Sequence, residues 1–162
     1  MAKTDSFFIR VEAPIASAFD QTSVDLGAYV DALGKSVLRI HNIEVQYAIG
    51  GQPIGSAGFG FASFQLTTQS QSAMVNIADK SLIASGDLTQ STDGTAYTLQ
   101  SDNLNLGPQR FTNGYLVGVE QCYVGTVCSA APFAGGNICL VMECTVETLS
   151  QSGAMALALS QQ

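Results

Sequence analysis

Apolar and polar residues alternate along most of this chain, in short runs that turn-forming residues separate. The first run places Phe7, Ile9, Val11 and Ala13 on one face and Phe8, Arg10 and Glu12 on the other, and Pro14 ends it. Similar runs follow at positions 43–49, 62–66, 97–99, 115–119 and 138–147. We expect tight turns at 93–94 and 113–114, before two of these runs, and we place Cys122 on the strand that begins at Tyr115. Alternation with a period of two is the pattern of a β-strand with one buried face, so these runs predict antiparallel sheets.

One run contains a shift of phase. Its apolar positions are Leu38 and Ile40 upstream but Ile43 and Val45 downstream, so the two stretches differ by one residue in register. A β-bulge inserts one extra residue into a strand and returns the following side chains to the buried face. The pattern therefore predicts a bulge near positions 41 and 42.

Two segments depart from the strand pattern, and we expect a short helix or helical turn in each. The first has helical spacing at Leu26, Tyr29, Val30 and Leu33, a capping box at Thr22 and Asp25, and a stop at Gly34. We expect it to be the longest helix of the chain. Positions 79–85 are the second segment, with Asp79 accepting backbone N–H bonds at its start. Near the C-terminus, Met155, Leu157 and Leu159 alternate with alanines and predict a last strand.

Length and composition fit one domain. The chain has 162 residues, of which 46% are hydrophobic and only 12% are charged, so it can bury one sizeable core and is not a disordered chain. We therefore predict a single all-β domain over residues 1–162. The expected architecture is an antiparallel β-sandwich, a jelly roll of about eight strands with one or two short connector helices.

The charge balance argues against a nucleic-acid surface. Thirteen acidic and six basic residues give a net charge of -7 at pH 7, and no basic residue follows Arg110. Nucleic-acid surfaces need clustered Lys and Arg, so no direct contact with a genome is expected. We expect no secretory signal, because an early acid, Asp5, is followed by no apolar core. Gly, Pro and Ser interrupt the uncharged segment 121–142, so we expect no membrane crossing.

Four cysteines, Cys122, Cys128, Cys139 and Cys144, lie close together in the sequence. No pair has C-x-x-C spacing and the chain has one His, so we expect no zinc site. Free thiols are expected, with a disulfide between Cys122 and Cys128 as the alternative. Cys139 and Cys144 differ by an odd number of positions, so they should lie on opposite faces of one strand and cannot bond to each other.

The chain offers few groups for catalysis. His41 is its one candidate base near neutral pH, and we expect a structural role for it. Carboxylates that could pair for glycosidic chemistry are Glu44, Glu120, Glu143 and Glu147, and we expect solvated acids instead. The Gly-rich segment 50–60 and Gly34-Lys35-Ser36 lack the context of a phosphate-binding loop, and positions 102–105 lack calcium-loop spacing. We therefore predict no enzyme activity, no catalytic, cofactor-binding or metal-ligating residue, and no cofactor.

Low charge, many Gln, Ser and Thr residues, and short strands are typical of a subunit that packs against copies of itself. In strand pattern, size and composition, from Phe7 to Leu159, the chain resembles the single jelly-roll major capsid proteins of tailless icosahedral viruses of bacteria and archaea. The likeness is greatest to the small upright subunit that shares a capsid with a larger partner. The chain departs from coat proteins that bind the genome directly, because it has no basic N-terminal arm.

The resemblance implies a structural capsid subunit, made in the host cytoplasm and located in the virion. Its partners would be copies of itself and a second capsid protein, often above a viral membrane that it does not span. The alternative is a carbohydrate-binding or adhesive β-sandwich module, although the chain has no Trp and only 5 Tyr. We also expect the neutral stretch 67–72 to contribute to contacts between subunits, so that lysine in place of one of its exposed Ser or Gln residues should reduce assembly without unfolding the monomer.

Overall fold

The computed structural model describes residues 3–31, 35–49, 52–53, 60–92, 97–129, 133 and 135–162. Its strands are β1 (Phe7–Pro14), β2 (Asp20–Asp25), β3 (Ser36–Ile49), β4 (Gln52–Pro53), β5 (Gly60–Thr67), β6 (Leu82–Thr92), β7 (Tyr97–Leu106), β8 (Tyr115–Val117), β9 (Gln121–Cys128) and β10 (Asn137–Thr148). A 3-10 turn spans Pro108–Arg110, and helix α1 spans Gln151–Ser160. In these ranges, no helix is long and apolar enough to cross a bilayer.

The strands form two antiparallel sheets with a nested order of pairing. The first sheet has the order β1-β10-β3-β4, with β8 also paired to β3, and the second has the order β2-β9-β5-β6-β7. When the short β4 and the edge strand β7 are set aside, the first strand pairs with the last, the second with the last but one, and so on inward to the hairpin β5-β6. Successive pairs alternate between the sheets. This is the jelly-roll arrangement, so the predicted all-β sandwich is confirmed.

The core lies between the two sheets and follows the predicted alternation. On β5 the buried side chains are Ala62, Phe64 and Leu66, and on β10 they are Ile138, Leu140, Met142 and Cys144. Phe133, which is also fully buried, fills part of the same cluster. Full burial of a side chain of this size stabilises a fold by about 1.5–3 kcal/mol, which makes the inner sheet faces the main source of stability.

The predicted bulge is present in β3. Glu143 pairs with Asn42, but the next residue of β10, Cys144, pairs with Ile40, so His41 is the extra residue. Ile43 and Ile40, on either side of the bulge, are both buried. The inserted residue therefore restores the core-facing phase, as the sequence pattern required.

The first predicted helix is replaced by a strand followed by one helical turn. Thr22 and Asp25, expected to form a capping box, lie in β2 and pair with β9. Beyond the strand, the N–H groups of Tyr29 and Val30 both donate to the carbonyl of Leu26, at 2.8 and 2.9 Å. The expectation of the longest helix here is wrong, because backbone pairing with β9 takes the residues that would have begun it. Positions 33 and 34 fall outside the described residues.

The second predicted helix is also wrong, since β6 occupies most of it. Asp79 does accept backbone and side-chain bonds, from the N–H of Ser81 at 2.8 Å and from its hydroxyl at 2.6 Å. These bonds fix a turn that leads into the strand at Leu82. The predicted short strand from Tyr97 lies in β7, and the preceding turn at 93–94 falls outside the described residues.

The C-terminal segment, expected to be a strand, is helix α1. The Ser150 hydroxyl accepts the N–H of Gly153 at 3.1 Å, and this bond caps the first turn. Ala154 and Ala158, four residues apart, are its buried residues. Ala, Leu and Met are strong helix formers, and this propensity outweighs the apparent alternation.

The run from Tyr115 is divided between the two sheets. Gly114 has a φ of 63°, so the tight turn predicted at positions 113–114 is confirmed. β8 then ends at Val117 in the first sheet, and β9 begins at Gln121 in the second. The prediction that Cys122 belongs to the strand beginning at Tyr115 is therefore wrong, because the chain crosses the sandwich at Gly118.

Candidate assembly surface

An apolar groove is open at the surface beside the turn that precedes β8. It encloses about 680 Å³ and is lined by Ile77, Leu82, Ile83, Leu106, Phe111, Gly114 and Tyr115. Ile77 is 65% exposed and Phe111 is 50% exposed, which is unusual for side chains of their size. The 3-10 turn after β7 carries the chain to Phe111, and the positive φ of Gly114 then turns it into β8. The lining of this apolar groove is mainly apolar.

Two basic residues lie near the apolar groove, and we call them its basic rim. Arg110 directly precedes Phe111 and donates to the carbonyl of Asn105 at 3.0 Å, and Lys80 lines a second cavity that shares Gly114 and Tyr115 with the groove. The Lys80 ammonium donates to the carbonyl of Gln162 at 3.1 Å. Two of the six basic residues of an acidic chain are thus placed beside its exposed apolar groove.

A different part of the surface has an exposed aromatic ring among acids. The outer face of the first sheet carries Phe8, Arg10, Glu12, Glu44 and Glu143, which we call the acidic face. Phe8 is 58% exposed and lies directly across from Glu143, and the Arg10 guanidinium lies 5.8 Å from the centre of its ring. Three carboxylates against one guanidinium give this face a negative charge.

Part of the outer face of the second sheet, around Gln65, is instead covered by residues 69–75, which we call the strap. The side chain of Gln65 is fully buried beneath it; its amide nitrogen donates to the carbonyl of Ala73 at 3.1 Å, and its oxygen accepts the N–H of Val75 at 2.7 Å. These bonds satisfy a buried amide that would otherwise be costly. The strap therefore belongs to the folded subunit rather than being a loose loop.

The neutral stretch 67–72, expected to meet other subunits, is partly internal. Thr67 and Thr68 are buried, and the Thr68 hydroxyl donates to the carbonyl of Gln161 at 3.0 Å. Only Ser70 and Ser72 of this stretch are exposed. The two threonines therefore belong to the fold, and the role in contacts stays a prediction for the two serines and for the half-buried Gln69 and Gln71.

His41 lies in a polar cluster and shares a cavity with Arg39 and Glu147. Its Nε2 is 3.0 Å from the hydroxyl of Thr145, whose residue is only 3% exposed. Nearby, the Arg39 guanidinium donates to both carboxylate oxygens of the buried Glu147, at 2.7 and 2.8 Å, and the Lys3 ammonium lies 3.9 Å away. The hydrogen bonds from Arg39 hold the pKa of Glu147 below its usual range. The cluster joins the N-terminal segment to β3 and β10 of the first sheet.

The four candidate carboxylates do not converge on a cleft. Glu44 and Glu143 are diagonal neighbours on the open acidic face, where such positions lie about 7–8 Å apart. Asn42 donates to Glu143 at 2.7 Å. Glu147 is held by Arg39, and Glu120 lies in the exposed turn between β8 and β9.

All four cysteines are free thiols. Cys122 and Cys128 lie six residues apart on the extended β9, a separation of about 20 Å, so the alternative disulfide is contradicted. Cys139 is half-buried and Cys144 is buried, in agreement with opposite faces of β10. Burial raises the pKa of both Cys122 and Cys144 to about 12. The described residues contain no group of three or more His, Cys, Asp or Glu side chains that could hold a metal ion.

Sequence patterns did not reveal the apolar groove, because Ile77 and Phe111 lie in connections without regular periodicity. The available signal was one large apolar residue in each of two separate connections, where polar residues are usual. No known protein-family model matches the chain, and no curated protein matches it significantly in sequence.

Proposed function

We propose that the chain is a structural coat subunit that assembles with copies of itself, and with a second capsid protein where one is present, into a virion shell. The observation that carries the proposal is a pair of complementary surfaces on one subunit. The apolar groove has a basic rim, and the acidic face presents Phe8. The jelly-roll fold supports the proposal as an architecture that viral coat proteins use, although it also serves other functions.

The two surfaces favour a head-to-tail contact between subunits. Phe8 lies on the outer face of the first sheet, whereas the groove is built from Ile77, Phe111 and their neighbours in connections. A contact that joins two different surfaces leaves each subunit with one free donor and one free acceptor. Repetition of such a contact produces rings or open helical chains rather than a simple dimer, and a closed shell requires a second contact that joins the rings.

Apolar burial would supply the affinity of this contact and charge would supply its orientation. Full burial of a side chain such as Phe or Ile contributes about 1.5–3 kcal/mol, and a shell multiplies a modest contact over many subunits. Lys80 and Arg110 would meet the carboxylates Glu12 and Glu143 at the rim. Rim charges mainly select and orient the partner, because water screens them.

Size-exclusion chromatography with light scattering tests the proposal on the purified chain at increasing concentration. Wild-type protein should form oligomers that grow with concentration, and Phe111→Ser should remain monomeric because the groove loses its largest exposed side chain. Phe61→Ser is the matched control, since Phe61 is a 41% exposed aromatic outside both surfaces. A wild-type chain that stays monomeric throughout would contradict the proposal and favour the binding-module alternative.

A further inference from the structure

A polar cleft lies at one end of the sandwich, where four segments meet. It is bordered by the end of β2, the start of the β5-β6 connection, the β8-β9 turn and the last turn of α1, and it encloses about 580 Å³. This volume is in the range of small-molecule sites, which span about 300–1,000 Å³. The cleft shares no lining residue with the apolar groove.

The floor of the cleft is fixed by bonds within the subunit. The side chain of Gln161 accepts the N–H of Gly118 at 2.8 Å and donates to the carbonyl of Leu116 at 2.7 Å. One oxygen of Asp25 accepts the N–H of Gly27 at 2.8 Å. Because these groups are already paired within the subunit, they maintain the shape of the cleft and are not the groups that would bind a ligand.

Other groups in the cleft retain unused hydrogen-bonding capacity. Among the described residues, the Glu120 carboxylate accepts no hydrogen bond and the side-chain nitrogen of Gln121 donates none. The amide nitrogen of Gln69 is buried without a partner. Tyr123 donates its hydroxyl to the Gln121 oxygen at 3.1 Å, and its half-buried ring also lines the cleft. Acceptors, donors and an aromatic ring thus face one space.

We propose that this cleft binds a neutral saccharide. Each sugar hydroxyl both donates and accepts, so neighbouring hydroxyls fit a carboxylate acceptor such as Glu120 beside an amide donor such as the side chain of Gln121. The Tyr123 ring supplies an apolar surface for the C–H groups of a pyranose.

The charges of the cleft decide between ligand classes. Its lining includes the carboxylates Asp25 and Glu120 and no Lys, Arg or His, so an anion such as phosphate or a sialylated glycan is disfavoured. An amine would satisfy the carboxylates but would leave the amide donors without acceptors. A neutral sugar can satisfy both sets.

Saturation-transfer NMR on the purified chain tests the inference with glucose, galactose, mannose and N-acetylglucosamine, each at millimolar concentration, and with spermidine and inorganic phosphate as competing probes. At least one sugar should give transfer from the protein. Glu120→Gln should weaken its binding about tenfold, the size expected for loss of one charged hydrogen bond. Glu44→Gln, an exposed carboxylate on the acidic face, is the matched control and should bind like the wild type.

Tyr123→Phe should retain most of the binding and Tyr123→Ala should lose it, and circular dichroism should show that both variants are folded. Absence of transfer from every sugar, binding of spermidine in their place, or sugar binding that neither Glu120→Gln nor Tyr123→Ala weakens would overturn the inference. The inference does not depend on assembly. Light scattering on the same samples reports the oligomeric state separately, so failure of one proposal is distinguishable from failure of the other.

Discussion

At the scale of single residues, Glu147 links stability to pH. The hydrogen bonds from Arg39 lower its pKa in the folded state relative to its ordinary value of 4.5. The carboxylate therefore stabilises the fold fully above about pH 4.5, and this contribution disappears as the pH falls through the lower folded-state pKa. Glu147→Gln should reduce the free energy of unfolding at pH 7 by about 2–3 kcal/mol, because the Arg39 guanidinium loses its charged partner.

Urea unfolding at pH 7 and at pH 3 measures this effect. The difference between wild type and Glu147→Gln should shrink at the lower pH, because pH 3 lies below the ordinary pKa of 4.5 and part of the stabilisation by the carboxylate is lost there. Glu44→Gln, an exposed carboxylate on the same sheet, should change stability by less than about 0.5 kcal/mol at either pH. Equal losses for the two variants would contradict the role given to the ion pair.

The cysteines lead to a second prediction at this scale. Burial raises the pKa of Cys122 and Cys144 to about 12, so their reactive thiolate forms are scarce at pH 8. Cys139 is only half-buried and should be alkylated first by iodoacetamide. Mass spectrometry of the native protein should find Cys139 modified well before Cys122 or Cys144, and all four thiols modified after unfolding without reductant. Any thiol that still resists alkylation after unfolding would indicate a bridge that the structure does not contain.

At the scale of elements, helix α1 is attached to both sheets through Gln161. The Gln161 side chain accepts the N–H of Gly118 and donates to the carbonyl of Leu116. The backbone carbonyl of Gln161 accepts the hydroxyl of Thr68, which follows β5. Gln161→Ala leaves the first two backbone groups without partners in a buried position and should cost about 2–3 kcal/mol. Gln162→Ala, at the exposed neighbouring position, should leave the thermal midpoint unchanged. A similar midpoint for both variants would mean that α1 does not stabilise the sandwich.

The same helix shows why sequence patterns predicted the strands better than the helix. Period-two alternation is a local property, so β1, β5, β10 and the bulge at His41 were all predictable from neighbouring residues. In α1 the apolar Met155 and Leu159 are exposed, while the polar Gln161, directly after the helix, is buried. The hydrophobicity of the residues therefore indicates the wrong buried face for this helix. Close packing of α1 against Gly118 explains the difference between the expected and the observed buried face. An added Cβ at Gly118 would lie only 3.0 Å from the side chain of Leu157.

Features that depend on distant segments were not predictable in the same way. Thr22 and Asp25 have the spacing of a capping box, but their backbone pairs with β9, about a hundred positions further along the chain. The apolar groove joins Ile77 and Phe111 from separate connections, and the cleft joins four segments. The nested pairing that creates both sites is a property of the whole fold. Local periodicity carries no information about it.

At the scale of the whole molecule, low charge and two complementary surfaces are the basis of the proposed assembly. The acidic face and the basic rim are at different places on one subunit, which gives the contact a direction. Phe8→Ser removes the projecting ring but leaves the groove intact, whereas Phe111→Ser impairs the groove but leaves Phe8. Each variant alone should therefore be monomeric, since each lacks one half of the contact.

Mixing these two variants is the most direct test of the head-to-tail contact. The groove of Phe8→Ser can still accept Phe8 from Phe111→Ser, so an equimolar mixture should form a 1:1 dimer that grows no further, detectable by light scattering or native mass spectrometry. Wild-type protein at the same concentration should form larger oligomers. A mixture that remains monomeric while the wild type assembles, or either variant assembling alone as the wild type does, would contradict the account.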